Sequence, residues 1–372
     1  MSYAGKLVLA PMVRAGELPT RLLALQHGAD LVWSPEIVDV KLIQTKRLIN
    51  EKLNTIDFIT TSNNNNNNRD STNTVVFRTL PSKESGKLIF QIGSNNPDRA
   101  VQAALKVVND VDGIDLNCGC PKHFSIHSGM GAALLSTPDL LCSILKSLVN
   151  EVGKPNNKPI SCKIRILDNL QNTLTLVEKI CSTGITNLTV HCRTREMRNR
   201  DAPRWEYLKD IEIICQKAGV SLIMNGKLKD KAHFINTRKA LGLPETVGGM
   251  IADNAESNPS VFNDSPLSWP LVVNEYYQIA IKMENHFGNT KYMLSRIIPG
   301  KQKMYQYVTR CKNYDELNYL LLQMDNITGE CKSNDPLKNI ESMRLDQKQQ
   351  QQTDKKRSLE SDTDSNSNKK QK

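Results

Sequence analysis

The sequence predicts an α/β protein in which a (β/α)8 TIM barrel is followed by a small all-α helical domain and a disordered C-terminal tail. Eight short apolar, β-branched runs alternate with longer stretches of helical spacing, which favours a closed parallel barrel. After Pro259 only helical patterns follow. The alternative is an open doubly wound sheet, which usually carries Gly-x-Gly-x-x-Gly after its first strand. Here the first strand runs into Ala10-Pro11-Met12, so the barrel is favoured.

The predicted strands are apolar runs bounded by turn residues. In chain order they are Lys6–Ala10, Asp30–Trp33, Leu88–Ile92, Gly113–Leu116, Ile160–Ile164, Leu188–His191, Leu222–Asn225 and Gly249–Ala252. Beyond the barrel, residues 269–283 and 315–324 are predicted to form amphipathic helices. We therefore expect a barrel over residues 1–263, a helical domain over 264–330 and a low-complexity basic tail over 331–372.

Two segments lack apolar periodicity. Residues 62–73 contain the run Asn63 to Asn68 and are predicted to form a flexible surface insertion. From about Asp346 onward the chain is rich in Gln, Ser, Lys and Asp, which predicts disorder. Basic clusters at residues 355–357 and 369–370 fit a solubilising tail better than a bipartite nuclear signal, because such runs are common in disordered termini.

Charge and cysteine content narrow the class of protein. The net charge of +10 and pI near 9.1 indicate a polyanionic partner such as RNA, or else a basic tail. Nine scattered cysteines favour free thiols in a reducing compartment over a disulfide framework. No apolar run resembles a signal peptide or a membrane span. We expect a cytoplasmic protein, also nuclear if the basic clusters act as a signal.

Polar residues stand at the carboxyl ends of nearly all predicted strands, where barrels carry their functional groups. The residues at these strand ends are Pro11-Met12, Pro35-Glu36, Gln91, Asn117 with Cys120, Lys163 with Arg165, His191 with Arg193, Asn225-Gly226, and Ala252-Asp253. Polar surface residues placed at random would not fall so regularly at strand ends. The pattern predicts one active site at this end of the barrel.

Cys120 lies in a Gly-Cys-Pro turn just past the fourth strand, and three chemistries could use it. A metal site is disfavoured because Cys118-x-Cys120 is a poor chelating interval with no second cysteine pair. A redox disulfide usually needs Cys-x-x-Cys, which is absent. A thiol that donates a proton needs only one sulfur. We therefore predict that Cys120 is a proton donor.

The other strand ends suit flavin mononucleotide. Asn225-Gly226 and Gly248-Gly249 supply flexible backbone for a phosphate near the seventh and eighth strands. Lys163, in a buried strand, could offset the charge that develops at flavin N1 and O2 on reduction. His191 is predicted to contact a ligand or substrate opposite the flavin.

At these residues the chain resembles the tRNA-dihydrouridine synthases, specifically the eukaryotic branch that modifies position 20 of the D-loop. The resemblance covers nearly everything from Lys6 to about Met324. It rests on Leu9-Ala10-Pro11-Met12-Val13-Arg14, Phe90-Gln91-Ile92-Gly93, Gly113-Ile114-Asp115-Leu116-Asn117, Gly119-Cys120-Pro121, Gly129-Met130-Gly131-Ala132-Ala133-Leu134-Leu135, Cys162-Lys163-Ile164-Arg165, Asn258-Pro259-Ser260 and Asn289-Thr290-Lys291-Tyr292.

The resemblance implies an FMN enzyme that takes a hydride from NADPH and reduces the C5=C6 bond of a uracil in tRNA. It implies that flavin N5 delivers hydride to C6, that Cys120 protonates C5 and that Asn117 orients the uracil. Arg165 and Arg193 would contact substrate, and the helical domain would bind tRNA. We expect a monomer with no metal. The cofactor-binding residues implied are Pro11, Met12, Val13, Gln91, Lys163, His191, Asn225, Gly226, Lys227, Ala252 and Asp253.

The chain departs from the family pattern at several positions. Asp253 stands where the family usually has an arginine beside the FMN phosphate, so backbone N–H groups, Lys227 or Lys229 would have to compensate. Cys192 replaces a usual glycine, and His127-Ser128 replaces Lys-Gly before the Gly-Met-Gly loop. Two other functions stay open: a flavin barrel acting on a free pyrimidine, and an RNA-binding protein without flavin.

Overall fold

The computed structural model describes residues 2–62, 72–346 and 349–350. The chain divides into two compact units. The first comprises Met1–Leu267 and Glu275–Met293, and the second comprises Ser268–Asn274 and Leu294–Lys372. Among the described residues, no helix combines the length and the hydropathy that crossing a bilayer requires.

Eight parallel strands form the closed barrel that the sequence predicts. They are β1 (Leu7–Leu9), β2 (Leu31–Trp33), β3 (Leu88–Gly93), β4 (Gly113–Cys118), β5 (Ile160–Arg165), β6 (Asn187–His191), β7 (Ser221–Asn225) and β8 (Gly248–Ile251). Each strand pairs with its neighbours in chain order, and β1 pairs with β8 to close the barrel, with Leu7 opposite Gly249. The predicted strands and fold are confirmed, with strand ends shifted by one or two residues.

Helices cover the outside of the barrel because the loops between parallel strands must cross its length. The helices that precede residue 258 are Leu18–Gln26, Asp39–Ile43, Pro81–Glu84, Pro97–Val107, His123–His127, Pro138–Ser147, Lys154–Asn156, Leu170–Cys181, Leu208–Lys217, Lys231–Ala240 and Asp253–Ser257. The helix Pro97–Val107 begins where the Asn96 side chain accepts a hydrogen bond from the Arg99 N–H, which caps an otherwise unpaired donor. Its buried alanines and valines face the strands.

The core has two layers because successive side chains of a strand point to opposite faces. Val8, Trp33, Ile89 and Met250 come from four different strands and fill the inside of the barrel. Leu7, Leu9 and their counterparts on the other strands pack outward against the helices. A barrel filled in this way has no pore, so its ligand sites lie at the ends of the strands.

A three-stranded antiparallel sheet between β2 and β3 was not predicted from the sequence. Its strands are Lys46–Asn50, Thr55–Ser62 and Thr72–Thr79. The predicted flexible insertion over 62–73 is therefore too wide, since Ser62, Thr72 and Asn73 belong to paired strands. Residues 63–71 lie outside the described part of the chain.

Inside the first unit, a fully buried ion pair joins this inserted segment to the barrel. The Arg21 guanidinium donates to the Glu84 carboxylate at 2.6 Å, and both side chains are 1% exposed. Arg21 also donates to the carbonyl oxygens of Gly16 and Arg78 at 2.8 and 2.7 Å. The pair thus fixes three segments around one buried positive charge.

The second unit is helical, with Lys303–Arg310 and Tyr314–Leu322 as complete helices. Two further helices, Trp269–Lys282 and Phe287–Ile297, begin or end in the first unit. The structure also forms a helix over residues 336–346, inside the span assigned from the sequence to the tail. Ile340 is buried and Arg344 donates to the Glu316 carboxylate at 2.8 Å, which anchors this helix. Residues 351–372 lie outside the described part of the chain.

Candidate active site

A cavity of about 320 Å³ lies at the carboxyl ends of the barrel strands. It brings together most of the residues that the sequence predicts for the site. Those residues are Pro11, Met12, Val13, Gln91, Asn117, Cys120, Lys163, Arg165, His191, Asn225, Ala252 and Asp253. It is also lined by Glu36, one of the predicted strand-end residues, and by Lys122, Asn199, Glu256 and Tyr292, for which the sequence predicted no role in the site.

A neighbouring cavity of about 240 Å³ holds the remaining predicted residues, Arg193, Gly226 and Lys227. The two cavities share His191, Asn199, Asn225, Ala252 and Asp253 in their walls. Arg193 is therefore separated from Cys120, in contrast to a simple picture of one substrate pocket. The shared walls place the two cavities side by side.

The Cys120 loop is held by Asn117. The Asn117 Oδ1 atom accepts hydrogen bonds from the backbone N–H groups of Gly119 and Cys120, both at 2.9 Å. Its Nδ2 group donates to Gln91 Oε1 at 2.9 Å, which fixes the orientation of the amide. Asn117 thus shapes the loop that carries Cys120. Only the second N–H of its side-chain amide is left to make the predicted contact with uracil.

The network continues inward to Asp115, which the sequence did not single out. Its carboxylate accepts hydrogen bonds from Gln91 Nε2 at 2.8 Å and from Ser161 Oγ at 2.6 Å. Burial raises the pKa of Asp115 to about 6, and its hydrogen bonds and Lys163 oppose that rise. Asp115 lies in the middle of β4, and its side chain points inward because of how the strand sits in the barrel.

Lys163 and His191 line the cavity from β5 and β6. Burial, together with Arg165, lowers the pKa of Lys163 to about 8, so the amine is mostly protonated at neutral pH. Burial and the three nearby cations keep the pKa of His191 well below its usual value. Arg193 lies 2.9 Å from His191 Nε2, and arginine can only donate, so Nδ1 carries the single proton. Lys163 and His191 therefore offer one cation and one neutral donor to the cavity.

Arg165 and Arg193 are both buried and heavily bonded within the protein. Arg165 donates to the carbonyl oxygens of Gly119 and Thr194 at 2.8 and 2.9 Å, which ties the Cys120 loop to the loop after β6. Arg193 donates to the carbonyl oxygens of Asp201 and Asn199 at 2.8 and 3.1 Å. Both guanidinium groups hold the walls of the site in place.

Tyr292 forms part of the cavity rim and belongs to the first unit. The Arg14 guanidinium lies over its ring, 4.3 Å from the centroid, and its hydroxyl donates to Glu256. Arg14 has a φ of 70°, a conformation that costs energy in residues other than glycine. This strain places an exposed cation beside the mouth of the cavity.

The second cavity fits a phosphate group. Gly226 and Lys227 have φ angles of 131° and 64°, so consecutive backbone N–H groups turn away from the regular strand direction. A Cβ atom on Gly226 would lie 3.4 Å from His191 Cδ2 and 3.2 Å from Pro203 Cβ. Lys227 is exposed beside them. These donors suit the binding of a phosphate group.

Asp253 lies in the wall between the two cavities. Its carboxylate accepts a hydrogen bond from Asn199 Nδ2 at 2.7 Å, and its charge acts on Arg193. Asn199 was not predicted from the sequence, because its loop comes close to Asp253 only in the folded barrel. In the described part of the chain, no group of three or more His, Cys, Asp or Glu residues is placed to hold a metal ion.

A (β/α)8 barrel that gathers a cysteine, a lysine and a neutral histidine around one cavity is the architecture of an enzyme. The chain matches the family described as Dihydrouridine synthase (Dus) over residues 8–341, and it belongs to that family. The membership that the sequence motifs predict is thus confirmed.

The relatives support the same branch of the family. The chain is 56% identical over 355 residues to tRNA-dihydrouridine(20) synthase [NAD(P)+] of Saccharomyces cerevisiae, covering 94% of this chain and 91% of that one. It is 46% identical over 323 residues to the protein of that name in Schizosaccharomyces pombe, covering 85% of this chain and 65% of the relative. A human tRNA-dihydrouridine(20a/20b) synthase [NAD(P)+]-like protein is 28% identical over 312 residues, covering 82% of this chain and 87% of its own.

Proposed function

We propose that this protein reduces uridine to 5,6-dihydrouridine at position 20 of the tRNA D-loop, with FMN as cofactor and NADPH as reductant. The observation that carries the proposal is the placement of Cys120 in one cavity with Lys163 and His191. Family membership and the yeast relatives named for this reaction support it.

Reduction of the C5=C6 bond needs a hydride at one carbon and a proton at the other. Bound FMN supplies the hydride for C6. Burial raises the pKa of the Cys120 thiol, so at neutral pH it holds the proton that C5 requires. Protonated Lys163 and the neutral His191 donor would contact the flavin ring, and the backbone at Gly226 and Lys227 would hold its phosphate.

The target uracil must leave the tRNA fold to enter a cavity of this size. Exposed cations Arg14 and Lys122 flank the mouth and would meet phosphates of the flanking nucleotides. The second unit carries further exposed basic side chains for shape- and phosphate-based binding of tRNA. These are Lys301, Lys303, Arg310, Lys312, Lys332 and Lys338.

The direct test uses tRNA isolated from cells that lack this protein. The purified protein should be yellow, and with NADPH it should form dihydrouridine at position 20, mapped by mass spectrometry of nuclease fragments. A matched tRNA with cytidine at position 20 should gain no dihydrouridine. Modification only at other positions, or none at all in either tRNA, would contradict the proposal.

We predict that Asp253→Asn strengthens FMN binding by roughly twofold to fivefold, the range expected for one partly exposed charge contact. The substitution removes a carboxylate from the wall of the second cavity, which is proposed to hold the phosphate. The new asparagine oxygen can still accept the hydrogen bond from Asn199. The measurement is quenching of FMN fluorescence as flavin-stripped protein is added. Asp139→Asn, on an exposed outer helix, is the control. Weaker binding in the Asp253 variant would mean that this carboxylate positions its neighbours.

A further inference from the structure

Glu36 is a carboxyl group in the active-site cavity to which the mechanism above gives no role. It follows β2 and lines the cavity together with Cys120 and Lys122. The Glu36 carboxyl group lies close enough to the Cys120 thiol for the two groups to shift each other's pKa, although 84 residues separate them in sequence. Its Oε1 atom is buried and has no hydrogen-bond partner among the described residues. A buried carboxyl group with an oxygen that makes no hydrogen bond is available to exchange a proton with the Cys120 sulfur.

The backbone makes room for this carboxyl group at Gly93, the last residue of β3. A Cβ atom at that position would lie 2.6 Å from Glu36 Oε1, closer than real contacts allow. Glycine here therefore lets the carboxyl group pack against the end of β3 and reach across to Cys120. This close approach provides an independent way to displace Glu36 without removing its charge.

We propose that Glu36 is a positioning residue that keeps Cys120 protonated between reductions; this rests on the proposed function. When the thiol protonates C5, the S–H bond breaks, a C–H bond forms, and the electron pair stays on sulfur. The protonated Glu36 carboxyl group then transfers its proton to the thiolate, which leaves a carboxylate on Glu36. That carboxylate takes a proton from solvent at the cavity mouth, so the thiol is restored and the net proton comes from water.

The acidities of the two groups agree with this direction of transfer. Burial raises the pKa of Glu36 to about 7, so near neutral pH a large fraction of the carboxyl group holds a proton. Burial and then the Glu36 charge raise the pKa of Cys120 above that of a free thiol. The proton therefore moves from the stronger acid to the thiolate of the weaker one.

Other charged and polar groups face this pair. Lys122 acts on both Glu36 and Cys120 and lowers both pKa values. Lys163 and Arg165 face Cys120 from β5, and Ser125 lies beside its sulfur. These cations favour the thiolate, so the opposing charge of Glu36 is what keeps the thiol protonated as pH rises above 7.

The test measures the ionisation of Cys120 directly. Purified protein is treated with iodoacetamide between pH 6 and 10, and alkylation of the peptide that contains Cys120 is followed by mass spectrometry. In Glu36→Gln the thiol should ionise about one pH unit lower, which makes alkylation about tenfold faster at pH 7.5. Glu151→Gln, an exposed acid on the outer surface, should match the wild type.

Gly93→Ala is the second variant, because it should push the carboxyl group away and shift the profile in the same direction. Superimposable alkylation profiles for Glu36→Gln and the wild type would overturn the role of Glu36. This readout needs no tRNA and no turnover. Failure of the wild type to form dihydrouridine would instead contradict the proposed function, so the two failures are distinguishable.

In the same variants, the alkaline limit of dihydrouridine formation should move about one pH unit lower. A role confined to stability would lower the rate equally at all pH values. Circular dichroism of each variant establishes that it is folded. Glu36→Asp, which keeps the charge on a shorter side chain, should restore part of the wild-type profile.

Discussion

Replacing Cys120 with alanine is expected to reduce dihydrouridine formation at least 100-fold while leaving flavin binding nearly unchanged. General acid catalysis by a positioned side chain contributes on the order of 10²–10⁴ in rate, and the substitution removes the thiol that would donate the proton. Alanine removes only the sulfur. The loop itself is held by Asn117 and Arg165 through backbone atoms, which the substitution leaves in place.

The measurement is dihydrouridine formed per minute under saturating NADPH and tRNA, with flavin content read from the absorption spectrum of the same sample. Cys142→Ala is the matched control, because Cys142 is also a partly buried free cysteine but lies on an outer helix. Wild-type rates in the Cys120 variant would show that another group delivers the proton.

Replacing Arg21 with methionine is expected to lower the free energy of unfolding by about 3–5 kcal/mol, because it strands the Glu84 carboxylate in the core. The pair is 1% exposed on both sides, so water cannot take over the lost bonds. Three carbonyl and carboxylate partners of Arg21 would lose their donor at once. The loss is expected in the first unit, where both residues lie.

Urea unfolding followed by tryptophan fluorescence measures the change. Lys52→Met is the control, since it breaks an ion pair with Glu284 whose side chains are 77% and 48% exposed, and such pairs contribute less than about 1 kcal/mol. Adding Glu84→Gln to the Arg21 variant should recover part of the stability, because the buried charge is removed. A loss below about 1 kcal/mol in Arg21→Met would be inconsistent with a buried, uncompensated charge.

The barrel could be predicted because its strands are buried on both faces and read as continuous apolar runs. The three-stranded sheet could not be predicted, because Lys46–Asn50 is almost entirely exposed and its two apolar residues are adjacent instead of alternating with polar ones. Its partner strands flank the asparagine run, and because of that run residues 62–73 were predicted to form one loop. The buried side chain of Phe58 lies opposite Phe77 in this sheet, a pairing between strands that the sequence pattern does not reveal.

The residues of the site likewise divide into those that could be predicted from the sequence and those that could not. Cys120, Lys163 and His191 could be predicted because the end of a barrel strand is a defined place, and their residue types are uncommon there. Glu36 also follows a strand, but its contact with Cys120 depends on the curvature of the barrel across β3. Asp115 lies inside a strand, where a carboxylate is expected only once Ser161 and Gln91 are known to bond it.

Closure of the barrel also sets an order of events during synthesis. The first strand pairs with the last, and the Arg14 guanidinium contacts the Gly288 carbonyl oxygen, 274 residues further along the chain. At roughly 5–20 residues per second, the ribosome needs tens of seconds to supply those partners. For that interval the apolar β1 strand lacks one neighbour, and the loop that bears Arg14 lacks its contact. Truncation before β8 would therefore leave the β1 edge unpaired and prone to aggregation.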